Sequence, residues 1–246
     1  MATPFERHER LKEFFKFSWQ EVTGLLIAAV ISGFIFSFRN WGDTIPDLAI
    51  GLKNLLTMIL ISLISFLVHI SFQKYFALSE GYRAEYKPWW VGMGISLIMS
   101  IVSLGFIPLV LIGGVNSSFM VRQRIGEFRY GYSYEDNSNI GLWGIYGTLI
   151  LSIFFGTGLY YNPESFFYSK GLLFNLIYAF CSFIPTVQQD GLMMFFGSRS
   201  LYSFGLFLTM MASFLLLTQT KIGIIISIIF TVTYSFIRMF ILEPNR

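Results

Sequence analysis

The sequence predicts an all-α integral membrane protein with six transmembrane helices, a re-entrant hairpin at about 91–115 and a small β-like segment at about 118–134. Three observations carry this. Of the 246 residues, 54% are apolar and only 13% charged, against roughly 25% charged in a typical soluble domain. Charge-free runs of span length recur along the chain, rich in Ile, Leu and Phe rather than alternating, which excludes a β-barrel. The basic residues distribute unevenly between the two sides once one run is folded back on itself. The chain reads as a single polytopic domain, 1–246.

Residues 1–17 open it. Phe5, Phe14, Phe15 and Phe17 lie among charges, the pattern of an interfacial cytoplasmic segment. The following run is span-length and ends without a small-residue cleavage site, so this is not a cleavable signal. Apolar runs then follow at about 22–38, 55–73 with a helical extension to about 80, 91–115, 140–161, 171–189, 200–218 and 222–237. Trp19 and Trp41 bracket the first run, roughly 33 Å apart along a helix, as anchors at opposite interfaces. Glu80, Arg83, Glu85 and Lys87 read as a solvated face beyond the second run.

Seven runs make an odd count, and charge decides what to do with it. Seven crossings would divide the 17 basic residues nine to eight, which is no bias. If 91–115 enters and leaves on one side, only Arg39, Lys53, Lys170 and Lys221 are outside, and the other thirteen are inside. That is the asymmetry of a real topology with both termini cytoplasmic. Gly105, Pro108 and Gly113-Gly114 supply places to bend. Non-helical backbone at membrane depth requires a sheltered interior. In 118–134, Phe128, Tyr130, Tyr132 and Tyr134 recur at the two-residue period of a strand. This segment is either a strand pairing back on 118–125 or an interfacial aromatic patch. There is no internal repeat.

Ionisable groups at membrane depth are costly and tend to be functional. Two remain once the segment ends are set aside. His69 lies in the second run, with Gln73 one turn later on the same face. Asp190 ends the fifth, after Gln188 and Gln189. In the six-crossing arrangement both fall in the cytoplasmic half; with seven crossings they fall on opposite sides. Such a pair is either two ligands of a metal site or a hydrogen-bonded link between helices. The single cysteine, Cys181, permits no intramolecular disulfide.

Five stretches, in order, resemble the site-2 protease family of intramembrane zinc metalloproteases, closest to an archaeal branch. "HISFQKYFALSEGYRAEYKPWWVGMGISL" (69–97) is similar to the region of its H-E-x-x-H helix. "SWQEVTGLLIAAVISGFIFSF" (18–38) is similar to its first span, and "GFIPLVLIGGV" (105–115) to its re-entrant hairpin. "NIGLWGIYGTLIL" (139–151) resembles its G-P-x-x-N helix start. "SFIPTVQQDGLMMFFGSR" (182–199) resembles its N-x-x-P-x-x-P-L-D-G helix. The resemblance implies the family's bundle with a β-rich element after the histidine-bearing helix. It also implies a prokaryotic, archaeal plasma-membrane location.

The departures fall on the chemistry. His69 matches the first zinc histidine, and Asp190 and Gly191 are kept. Ile70 stands where the catalytic Glu belongs and Gln73 where the second His belongs. Thr148 replaces the Asn of G-P-x-x-N, Ile145 its Pro, and Ser182 the Asn before Pro185. Loss of the general base alone lowers rate by about 10²–10⁴-fold, and loss of a ligand removes the metal with its low-pKa water.

The expectation is therefore a catalytically inactive site-2-protease-like protein that binds or scaffolds transmembrane partners. No catalytic residue and no metal are expected, His69 and Asp190 being vestigial ligands, with client contacts at Phe128, Tyr130, Tyr132 and Tyr134. Its partners would be the lipid bilayer and transmembrane proteins, not nucleic acid. An unorthodox active protease, retaining zinc, and a small-solute carrier are the alternatives. Against a carrier stands the lack of repeats and of paired interrupted helices.

Overall fold

The computed structural model describes residues 4–42, 47–119 and 134–237. After α1 (Pro4–Phe14) come α2 (Trp19–Ser37), α3 (Leu48–Glu80), β1 (Tyr82–Pro88), α4 (Trp90–Val102) and β2 (Gly113–Phe119). Then follow α5 (Tyr134–Tyr161), α6 (Phe166–Ser182), α7 (Asp190–Gly197), α8 (Arg199–Leu217) and α9 (Lys221–Ile237). Four helices, α2, α3, α5 and α8, are long and apolar enough to cross a membrane. The described residues are thus mostly helical with a two-stranded sheet, as suits a multi-pass membrane protein.

A capping box starts α2. Ser18 Oγ accepts from the Glu21 N–H at 3.3 Å, and Glu21 Oε2 accepts from the Ser18 N–H at 2.7 Å. Helices α2 and α3 pack antiparallel, and the Ser62 hydroxyl donates to the Ala29 carbonyl across their seam at 3.0 Å. Gly81, at φ +89°, caps α3 in the left-handed conformation and turns the chain into β1. Along β1, Tyr82, Ala84 and Tyr86 are buried while Arg83, Glu85 and Lys87 are exposed. The charged face expected from the sequence is thus one side of a strand.

β1 pairs antiparallel with β2 in a register running from Tyr82↔Phe119 to Pro88↔Gly113. One step further, the Trp89 N–H donates to the Ile112 carbonyl at 3.0 Å. Residues 89–112 therefore leave from and return to the same end of the sheet. Gly24 of α2 abuts Pro88, at the neck of this excursion, and Gly105 near its tip abuts Phe38 and Arg39. Those points on α2 are about 21 Å apart at 1.5 Å per residue. The outward limb is α4; the return limb is extended, held to α4 where the Leu111 N–H meets Ser96 Oγ at 3.1 Å.

Three expectations need correction. The run at 171–189 is not one helix. α6 stops at Ser182, Pro185 lacks the N–H to continue it, and α7 begins at Asp190. Of the segment expected at 118–134, residues 118 and 119 close a strand that begins earlier, at Gly113, and pairs with β1, while 120–133 lie outside the described residues. Of the aromatics expected there, Phe128, Tyr130 and Tyr132 are thus not described. Tyr134 opens α5, where Glu135 and Asp136 favour the first turn of a helix through its dipole.

Candidate functional site

His69, near the middle of α3, meets Asp190 and Thr148 at once. Its Nε2 lies 2.8 Å from Asp190 Oδ2 and its Nδ1 2.8 Å from Thr148 Oγ1. The Tyr178 ring of α6 covers the imidazole, centroid to centroid 4.8 Å. All three polar residues are at most 2% exposed.

Glycines allow the meeting. A Cβ at Gly144 of α5 would lie 2.6 Å from His69 Nε2 and 2.7 Å from Gln73, so α5 approaches α3 only because none is there. A Cβ at Gly114 would lie 2.8 Å from Asp190 Oδ1, which brings the start of β2 against the carboxylate. Asp190 itself occupies the first turn of α7, where unpaired N–H groups favour negative charge.

The Thr148 hydroxyl has one hydrogen and two acceptors in reach, the Gly144 carbonyl at 3.1 Å and His69 Nδ1 at 2.8 Å. With the hydrogen on Gly144, Nδ1–H donates to Thr148 and one proton lies between Nε2 and Oδ2, a unit without net charge; deep burial favours that arrangement. Asp190 Oδ1, both amide atoms of Gln73 and Gln189 Nε2 make no hydrogen bond among the described residues.

What can this arrangement do? A catalytic zinc takes three protein ligands and a water. Here the imidazole nitrogen and carboxylate oxygen that would face a metal hold each other, and Gln73 offers only a neutral amide. Among the described residues, no three His, Cys, Asp or Glu side chains converge. Ile70, in the general-base position of the resemblance, is 1% exposed within the apolar core and accepts no proton. Thr148, His69 and Asp190 have the outline of a nucleophile, base and orienting acid. Yet Thr148 is fully buried and its hydroxyl also reaches the Gly144 carbonyl of its own helix.

A second buried polar centre went unread in the sequence. Lys74 Nζ lies 2.7 Å from Glu21 Oε1, both side chains under 5% exposed. The ammonium also donates to the Lys16 carbonyl at 3.0 Å and sits 4.3 Å from the Phe17 ring. Glu21 Oε1 accepts the Tyr86 N–H of β1 at 2.7 Å. One ion pair thus ties α2, α3, the sheet and the approach to α2 together. The Tyr86 phenol, raised by burial well above its ordinary pKa, stays protonated and donates to the Ile112 carbonyl at 2.8 Å.

Gln188, two residues before Asp190, has φ +63° and is exposed. A left-handed non-glycine residue is strained by about 1–2 kcal/mol. Gln188→Gly is expected to raise stability by about 1 kcal/mol after the glycine's extra chain entropy is subtracted. Thermal unfolding in detergent checks this; an unchanged or lower midpoint would show that Gln188 contributes a compensating contact.

Comparison with known protein families, curated proteins and solved structures returns no match for this chain.

Proposed function

We propose that the chain is a catalytically inactive relative of the site-2 proteases that binds transmembrane partners through its two-stranded sheet. One observation carries the reading. Residues from four of the resembling stretches converge on a single buried point: His69, Gly144 with Thr148, Asp190 and Gly114. Unrelated segments of a helical bundle have no reason to meet at the positions that the resemblance marks.

The same reading has six crossings, formed by α2, α3, α5, α6 with α7, α8 and α9, with residues 89–112 re-entrant and both termini cytoplasmic. Two pairings support an even count. His69 touches Asp190, and Arg39 shares a cleft with Lys170. Seven crossings would put each pair on opposite sides of the membrane.

Binding would proceed by strand addition. The outer edge of β1 is engaged by Glu21 through the Tyr86 N–H. The sheet has two strands among the described residues, so β2 offers the edge. A partner segment there would lie near Asp190 without meeting an activated water.

Two measurements test this. Elemental analysis of purified wild-type protein is expected to find only substoichiometric zinc, while Ile70→Glu combined with Gln73→His gains it. One tightly held zinc per wild-type chain would overturn the inactive assignment. A photo-crosslinker at exposed Ser118 of β2 is expected to capture transmembrane segments that one at Ile229 does not. Equal capture from both would remove the strand-edge mode of binding.

A further inference from the structure

At the far end of α2 from the sheet lies a cleft of about 390 Å³, within the roughly 300–1,000 Å³ of small-molecule sites. Arg39 and Asn40 border it just beyond α2, Gly105 and Phe106 at the tip of the excursion, and Lys170 on α6. Its remaining wall is apolar: Ile35 and Phe36 from α2, Leu173 and Ile177 from α6.

The cations stand out by where they are held. Arg39 and Lys170 line the same cleft, and neither makes an ion pair among the described residues. Both are nevertheless held in place. The Arg39 guanidinium lies 3.9 Å from the Phe106 ring centroid, and Lys170 Nζ 5.7 Å from that of Phe166. Asn40 is pinned too, its amide donating to the Phe36 carbonyl at 2.9 Å while its own carbonyl accepts from Asn54 at 2.7 Å. Two like charges over an apolar wall, with no carboxylate among the described residues that line the cleft, suit an anion that carries a hydrocarbon tail.

Depth indicates which anion. The 19 residues of α2 span about 28 Å, close to the roughly 30 Å of a bilayer's hydrocarbon. Arg39 lies two residues past its end, at the level of the phospholipid phosphates. We infer that this cleft binds the phosphate of an anionic phospholipid between Arg39 and Lys170, with an acyl chain along Ile35, Phe36, Leu173 and Ile177. A free phosphate would satisfy the cations but leave that wall unused.

The test uses full-length protein in detergent, with retained lipid read by native mass spectrometry. Dioleoyl phosphatidylglycerol and dioleoyl phosphatidylcholine are added in equal amounts. Wild type is expected to retain phosphatidylglycerol at least tenfold over phosphatidylcholine. Each cation near an anionic lipid contributes about fivefold, so Arg39→Gln with Lys170→Gln should abolish the preference, and Arg199→Gln should leave it intact. Leu173→Trp, which fills the cleft but keeps both cations, should also reduce retention and serves if the double variant fails to fold. Equal retention of the two lipids by wild type overturns the site. So does undiminished phosphatidylglycerol in the folded variants. Displacement of the lipid by millimolar inorganic phosphate overturns the lipid and assigns a free anion.

Discussion

Asp190→Ala is expected to destabilise the protein by about 2–3 kcal/mol, because it leaves His69 buried with a polar nitrogen and no partner. His69→Ala strands the carboxylate in the same way. Asp190→Asn should behave differently. Its amide can donate to Nε2 while Nδ1–H still donates to Thr148, which keeps the unit neutral. That variant should lose no more than about 1–1.5 kcal/mol, the net worth of one hydrogen bond. Thermal or denaturant unfolding in detergent measures all three. Asparagine proving as harmful as alanine would show that a full charge at residue 190 matters, and the neutral-pair assignment would fall.

Lys74→Met should be more harmful, by about 3–5 kcal/mol, since Glu21 then keeps its charge inside the bundle without a cation. Adding Glu21→Gln should recover much of the loss, because the amide oxygen can still accept the Ser18 or the Tyr86 N–H. The coupling between the two changes, taken from a double-mutant cycle, isolates the pair. Purely additive effects would mean that the lysine acts through its contacts with Phe17 and the Lys16 carbonyl instead.

Why was His69 with Asp190 legible in the sequence and Glu21 with Lys74 not? A histidine amid apolar residues draws attention, since every alternative for it at that depth is costly. Glu21 and Lys74 flank their runs, where charges are ordinarily solvated, and nothing local marks them as internal. In the sequence Thr148 is marked only as standing in place of an asparagine. A hydroxyl that back-bonds to its own helix looks the same in sequence as one that also receives a histidine. The broken helix at 183–189 had its signals in Pro185 and the two glutamines.

The sheet was half legible. Tyr82, Ala84 and Tyr86 alternate with Arg83, Glu85 and Lys87 at a strand's period, but six alternating residues directly after a long helix read equally as its solvated extension. β2, reading Gly-Gly-Val-Asn-Ser-Ser-Phe, carries little strand propensity and is held by pairing with a partner some 30 residues away in sequence. Apolar runs locate helices well because helix hydrogen bonds are local; strand pairing is not.

The hydrogen bond from Trp89 to Ile112 gives the chain a clasp. The path resumes beside where it left, so the heading of the later helices does not depend on what happens at the tip. The limbs are built into the core through Met93, Val110 and Ile112, while Leu104 and Phe106 at the tip are exposed; the tip can be reshaped while the machinery at its base stays put.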